Sequence, residues 1–248
     1  MAEATRNINA IFKREVGGYF NSPLAYVFII IFVFLSMAFA FVVGNFIENQ
    51  EASLTYSFFQ WHPWIFMILA PAVGMRLWSE ENRLGTAELL LTMPISPWQA
   101  IVGKYLAACL VLLLSLVLTF PIVVTVGYLG DPDYGVIWSG YLGSFLVACS
   151  ALAVTSVVSA FTRSQVVCLI VAVCVCLLLI LSGFPPIVTF LRDVGGGWLA
   201  GLFQGASFLY HANDPNRGLF RFENLVYFLT VIGFCLFTTA VVIRTRRS

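Results

Sequence analysis

The residues of this chain that could do chemistry are few, and the most concentrated set sits in one segment. Glu80, Glu81 and Glu88 lie with Arg76, Arg83 and Lys104 inside RLWSEENRLGTAELLLTMPISPWQAIVGK, a polar island at residues 76–104 between two long apolar runs. Charge gathered in one compact, helix-capped segment of an otherwise hydrocarbon-like chain suits contact with a soluble partner. Little is equipped for catalysis. No Asp, Glu, Lys or Arg falls in the middle of an apolar run, which argues against an ion-coupled carrier or an intramembrane hydrolase. The only Gly-Lys pair is Gly103-Lys104, and the glycine that a phosphate-cradling GxxxxGK loop needs five positions earlier is Trp98. If ATP drives this protein, another chain binds it. His62 and His211 are the only histidines, too few for the three or four ligands zinc usually takes. Cys109, Cys149, Cys168, Cys174, Cys176 and Cys235 all lie in apolar runs and read as small hydrophobes. The methionines are too few and scattered to handle copper. The expectation is therefore no catalytic residue, no metal ligand and no cofactor bound by this chain.

Helices must position that island. Hydrophobic residues make up 60% of the chain and charged ones 10%, outside the range of soluble domains. Six apolar runs stand out, at 24–46, 55–75, 105–129, 138–161, 164–183 and 225–243. About 20 apolar residues cross the hydrocarbon as a helix, whereas a barrel strand would alternate polar and apolar over about ten. Backbone groups in lipid must pair internally, so continuous runs are helical. The expected fold is an all-α polytopic membrane protein, a single domain over 1–248 with six transmembrane helices. The first run is too long for a signal peptide and lacks a small-residue cleavage site, so it is expected to remain.

Cations orient the bundle. Arg6, Lys13, Arg14, Arg76, Arg83, Lys104, Arg163, Arg244, Arg246 and Arg247 fall on one side of a six-span arrangement. Arg192, Arg217 and Arg221 fall on the other, with Glu48, Glu51, Asp131, Asp133, Asp193, Asp214 and Glu223. Lys/Arg excess marks the cytoplasmic side, so both termini and the island are expected there. The net charge of +1 averages a basic face with an acidic one and gives no sign of nucleic-acid binding.

Before the first run, Ile8, Ile11, Phe12, Val16, Tyr19 and Phe20 recur on one face of a helix over residues 6–20, with Asn9, Lys13, Arg14 and Gly17 on the rest. Such a helix is expected to lie along the membrane interface, aromatics in the headgroups and cations toward anionic lipid. Whether it only anchors the chain or also borders a docking site stays open. Ser22 and Pro23 then cap and open the first span, and Pro71 is placed to kink the second. Within the island, Ser79 to Arg83 are polar and expected to be wet. Thr86 can cap a short helix with Glu88 near its positive end, Leu89, Leu90 and Met93 share a face, and Pro94 stops the run. Ser96-Pro97-Trp98-Gln99 reads as a capping box that restarts the helix. The result is a short, rigid helix of roughly 15 Å, suited to transmit a push or, more plainly, to cover the base of the bundle. Residues 184–222 are expected to form a re-entrant or outer helix pair, where Gly197, Gly201 and Gly205 give the four-residue period that lets helices approach closely.

The run EENRLGTAELLLTMPISPWQAIVGKYLA resembles the signature of ABC-2-type permeases, and FKREVGGYFNSPLAYVF resembles their interface helix and first span. The subgroup it is most similar to is the gliding-motility-type permease, near the copper-enzyme maturation type. The resemblance implies a permease subunit of an ATP-binding-cassette exporter in a bacterial cytoplasmic (inner) membrane, with ATP and Mg bound by separate ATPase subunits. It also implies pairing with a second permease copy, identical or related, and room for a periplasmic accessory protein. Glu81, Gly85, Thr86, Glu88, Leu89, Leu90 and Pro94 match its coupling segment, while Ile8, Ile11, Phe12, Lys13, Arg14 and Val16 match its interface helix. The apolar spans favour a lipid-like or amphipathic substrate, or none that diffuses freely. The alternative reading is a membrane scaffold that couples an ATPase mechanically to a periplasmic partner without moving a solute.

Overall fold

Local side-chain capping writes four helix starts, at Ser22, Ser96, Asp133 and Ser207. Ser22 accepts the Leu24 amide at 3.4 Å and Pro23 takes the first helical position, separating α1 (Ala2–Asn21) from α2 (Pro23–Ala38). A computed structural model describes residues 2–46, 54–85, 96–219 and 221–245, and all of its regular structure is helical. After α2 a widened turn, Phe39–Val43, carries the chain to the far end. There the tight turn Phe59–Trp61 leads into α3 (His62–Gly74), which holds Pro71 in its interior. α4 (Arg76–Leu84) follows after Met75 alone. α5 (Pro97–Val117) and α6 (Pro121–Leu129) run almost continuously. Asp133 then accepts the Gly135 and Val136 amides and starts α7 (Tyr134–Phe161). α8 (Gln165–Leu181), α9 (Pro185–Gly205), α10 (Phe208–Asn216) and α11 (Phe222–Thr245) complete the chain.

α7 is the axis of the bundle, packed by α3, α4, α5, α8, α10 and α11. It can take so many neighbours because its buried residues are small, among them Gly140, Gly143, Ala148, Ala151, Ser156 and Ser159. A Cβ on Gly140 would come within 2.6 Å of the Phe59 ring, and one on Gly143 within 2.6 Å of Pro215. Close approach of this kind supplies dispersion contact where lipid gives no hydrophobic drive. α2 is peripheral, with Tyr26, Ile30 and Phe34 exposed along it.

Among the described residues, four stretches are long and apolar enough to cross a membrane: Pro23–Val43, Pro97–Leu129, Tyr134–Phe161 and Phe222–Thr245. A fifth arises if Gln165–Leu181 and Pro185–Asp193, bent by 67°, count as one. The expected run at 55–75 yields only the 13 residues of α3 as α-helix, about 20 Å against a hydrocarbon core of about 30 Å. Its opening residues are spent on a turn that follows Leu54 (φ 58°) and folds Phe58 and Phe59 against His62 and Tyr141. His62 is buried there, its Nδ1 2.7 Å from Ser144 Oγ.

Residues 185–216 hold the helices α9 and α10, and α9 breaks at Gly196, whose φ of 77° is readily taken only by glycine. Gly197, Gly201 and Gly205 have nothing within 4 Å of an added Cβ, so among the described residues this stripe makes no close helix contact. His211 instead ties the region together, with Nδ1 2.8 Å from Asn224 Oδ1 and Nε2 3.2 Å from the Gly205 carbonyl.

Candidate functional site

The island's two flanks converge at the end of the bundle where α1 lies. Its downstream flank begins α5 with the expected capping box. Gln99 N donates to Ser96 Oγ at 3.4 Å, and Ser96 N donates to Gln99 Oε1 at 3.2 Å. Asn7 of α1 donates to the same Gln99 Oε1 at 3.4 Å. One turn further, Gly103 lets α1 come so near that an added Cβ would lie 2.9 Å from Ile11 Cγ2. Ile11 is buried at that contact, and Ile8, Phe12 and Val16 are half-buried. Lys13 and Arg14 are exposed. α1 therefore lays its apolar face on protein. Tyr19, expected among headgroups, packs against the core and donates its hydroxyl to the Val73 carbonyl at 3.2 Å.

Lys104 follows Gly103, and its side chain is only 4% exposed. Its Nζ lies 2.9 Å from Glu81 Oε1 on α4, 3.3 Å from Glu15 Oε1 on α1, and 5.4 Å from the centre of the Trp78 ring. Arg14 also reaches Glu15 Oε1, at 2.7 Å. Burial pushes the Glu15 carboxyl up, but Lys104 and then Arg14 outweigh it, so it sits below the usual range and is ionised at neutral pH. One ammonium thus joins α1, α4 and α5.

The upstream flank is held by α7. α4 has no side-chain cap of its own. Ser159 supplies one from across the bundle, accepting the Trp78 and Ser79 amides at 2.9 and 3.0 Å while its hydroxyl donates to the Met75 carbonyl at 3.1 Å. In return, the Asn82 amide donates to the carbonyls of Ser159, Ala160 and Thr162 at the end of α7. The expectation of a wet 79–83 stretch is corrected by this docking: Ser79 is buried, Glu80, Glu81 and Asn82 are half-buried, and only Arg83 is exposed. Arg76 Nε pairs with Glu80 Oε2 at 3.1 Å.

Of the expected coupling residues, Glu81 sits in the ion-paired junction and Gly85 ends α4 in a left-handed conformation, φ 71°. Thr86, Glu88, Leu89, Leu90 and Pro94 lie outside the described residues. Glu15, Trp78, Asn82 and Ser159 were not singled out by the sequence reading. Glu15 carried a usable signal, an acid four residues from both Ile11 and Tyr19 and so on the apolar face of the amphipathic helix.

Among the described residues the site is a junction, with α4 and α5 clamped on either side of residues 86–95. The family described as "ABC-2 family transporter protein" has a sequence model that matches residues 48–204, more than half of the chain. The chain belongs to the ABC-2 transporter family. None of the curated proteins matches it. The matched region runs from before α3 to the end of α9 and contains α4, α7 and the start of α5, the helices that form the joint with α1. As an ABC-2 family protein it is a multi-pass membrane component of an ABC transporter, a class that assembles with ATPase subunits.

Proposed function

We propose that this chain is the permease subunit of an ABC-2-type exporter in the bacterial cytoplasmic membrane. A separate ATPase subunit docks on the connection between α4 and α5. In this reading the chain crosses six times, through α2, α3, α5–α6, α7, the bent α8–α9 pair and α11. Both termini are cytoplasmic, α1 lies on the inner face, and a second permease copy completes the pathway.

The observation that carries the reading is the clamping of residues 86–95 at both flanks. α4 is bonded to α7 through Ser159 and Asn82, α5 is capped by Ser96, and Lys104 links the two flanks through Glu81. A connection held this way passes displacement to α7, the axis of the bundle, instead of absorbing it. Glu88 and its neighbours Thr86, Leu89, Leu90 and Pro94 are the contact assigned to the ATPase.

Gentle purification of the tagged chain is expected to bring down a protein with a Walker A motif. Glu88→Arg, or deletion of residues 86–93, is expected to abolish the permease-dependent part of its ATP hydrolysis while insertion stays normal. Wild-type ATP hydrolysis and transport in those variants would overturn the coupling assignment. ATPase capture without ATP-dependent flux of any compound in reconstituted vesicles would favour the scaffold instead.

A further inference from the structure

Beside the joint, α1 and α4 enclose a cavity of about 140 Å³ lined by Glu15, Gly18, Tyr19, Arg76, Leu77 and Glu80. Its walls meet at a defined depth. Gly18 and Tyr19 come within five residues of Pro23, where the first candidate span begins, and Arg76 comes two residues after the end of α3. At 1.5 Å per residue, five residues cover about 7 Å, close to the thickness of the interfacial layer on one side of a bilayer. Both walls thus lie just beyond the ends of apolar helices, which puts the cavity at the level of the lipid headgroups.

Its charges are mixed. The Arg76–Glu80 bond uses Nε and Oε2, leaving the guanidinium Nη donors and Glu80 Oε1 unpaired among the described residues. Both ion pairs of Glu15 fall on Oε1, leaving Oε2. Phosphate alone would meet Arg76 but be repelled by two carboxylates, and an ammonium ion alone would meet the carboxylates but be repelled by Arg76. A ligand carrying both charges satisfies all three. The guanidinium fork suits phosphate oxygens, and the carboxylate oxygens accept N–H bonds that a primary ammonium can donate and a quaternary one cannot.

We propose that this cavity binds a phosphoethanolamine group, with phosphate on Arg76 and the primary ammonium between Glu15 and Glu80, presented by a membrane lipid or as the free zwitterion. The inference is independent of ATPase coupling and holds whether or not the chain moves a solute. Nothing lies within 4 Å of a Cβ added at Gly18, which lines the cavity, so Gly18→Leu introduces apolar bulk at its wall without a Cβ clash.

The test is native mass spectrometry of the delipidated protein in micelles holding equal amounts of dioleoyl phosphatidylethanolamine, phosphatidylcholine and phosphatidylglycerol. A parallel arm titrates free O-phosphoethanolamine. Preferential retention of phosphatidylethanolamine by about tenfold or more is expected, with the preference lost in Glu80→Gln and in Gly18→Leu while the thermal midpoint of Gly18→Leu is unchanged. Binding of the free zwitterion, lost in the same variants, would support the soluble source. Equal retention of the three lipids with no binding of the free zwitterion would overturn the proposal, as would a preference that survives Gly18→Leu.

Discussion

Lys104 neutralises two carboxylates from separate helices, Glu15 at 3.3 Å and Glu81 at 2.9 Å, while almost fully buried. Removing a buried cation leaves its partners facing each other without compensation. Lys104→Met is therefore expected to destabilise the protein by about 2–3 kcal/mol, read as a lowered thermal midpoint, with Lys104→Arg, which keeps the cation, recovering most of the loss. Glu15 adds a pH dependence with a definite sign. Its folded pKa lies below the ordinary 4.5, so its contribution is fully present above that value and is lost as pH falls through the lower folded pKa. Thermal midpoints of wild type and Glu15→Gln are expected to differ at neutral pH and to converge as the pH falls below 4.5. Ser159 is the second control point at this scale. Ser159→Ala strands the Trp78 and Ser79 amides in a buried setting and is expected to cost about 2 kcal/mol.

At the level of elements, α1 and α5 meet through Gly103. A side chain there would push into Ile11 Cγ2 and, at 3.2 Å, the Ile8 carbonyl. Gly103→Val is expected to lift α1 from α5 at a cost of about 1–3 kcal/mol. The displacement would appear as faster trypsin cleavage after Lys13 and Arg14 with α11 unaffected, and an unchanged cleavage rate would show that the contact is dispensable. α4 illustrates how far an element can depend on a neighbour. Its sequence is polar enough to read as a solvated loop, yet it is a nine-residue helix because α7 caps its start and takes up its Asn82 amide.

For the whole molecule, the number of crossings turns on α3, which is shorter than the hydrocarbon core. In a cysteine-free background, single cysteines at Asn9, Arg83 and Arg163 are expected to react with an impermeant maleimide from one side of the membrane. Those at Asp131 and Asn213 are expected to react from the other. Labelling of positions 9 and 83 from opposite sides would show that α3 does not cross and reduce the count to five.

Sequence alone determined the helical class, the polar island, the absence of a nucleotide loop and the helix starts at Ser22 and Ser96. Each of these is local: a capping side chain bonds two or three residues away, and an apolar run declares itself residue by residue. The run at 55–75 shows where this legibility ends, because composition does not reveal that its first residues turn back toward Tyr141. The joint itself was decided by tertiary structure. Trp78 and Ser159 stand 81 positions apart, and Asn82 and Ala160 stand 78 apart. The Lys104 contacts with Glu15 and Glu81 likewise join separate helices. No periodicity encodes such pairs, and a hydroxyl on one helix becomes the cap of another only once the bundle has packed.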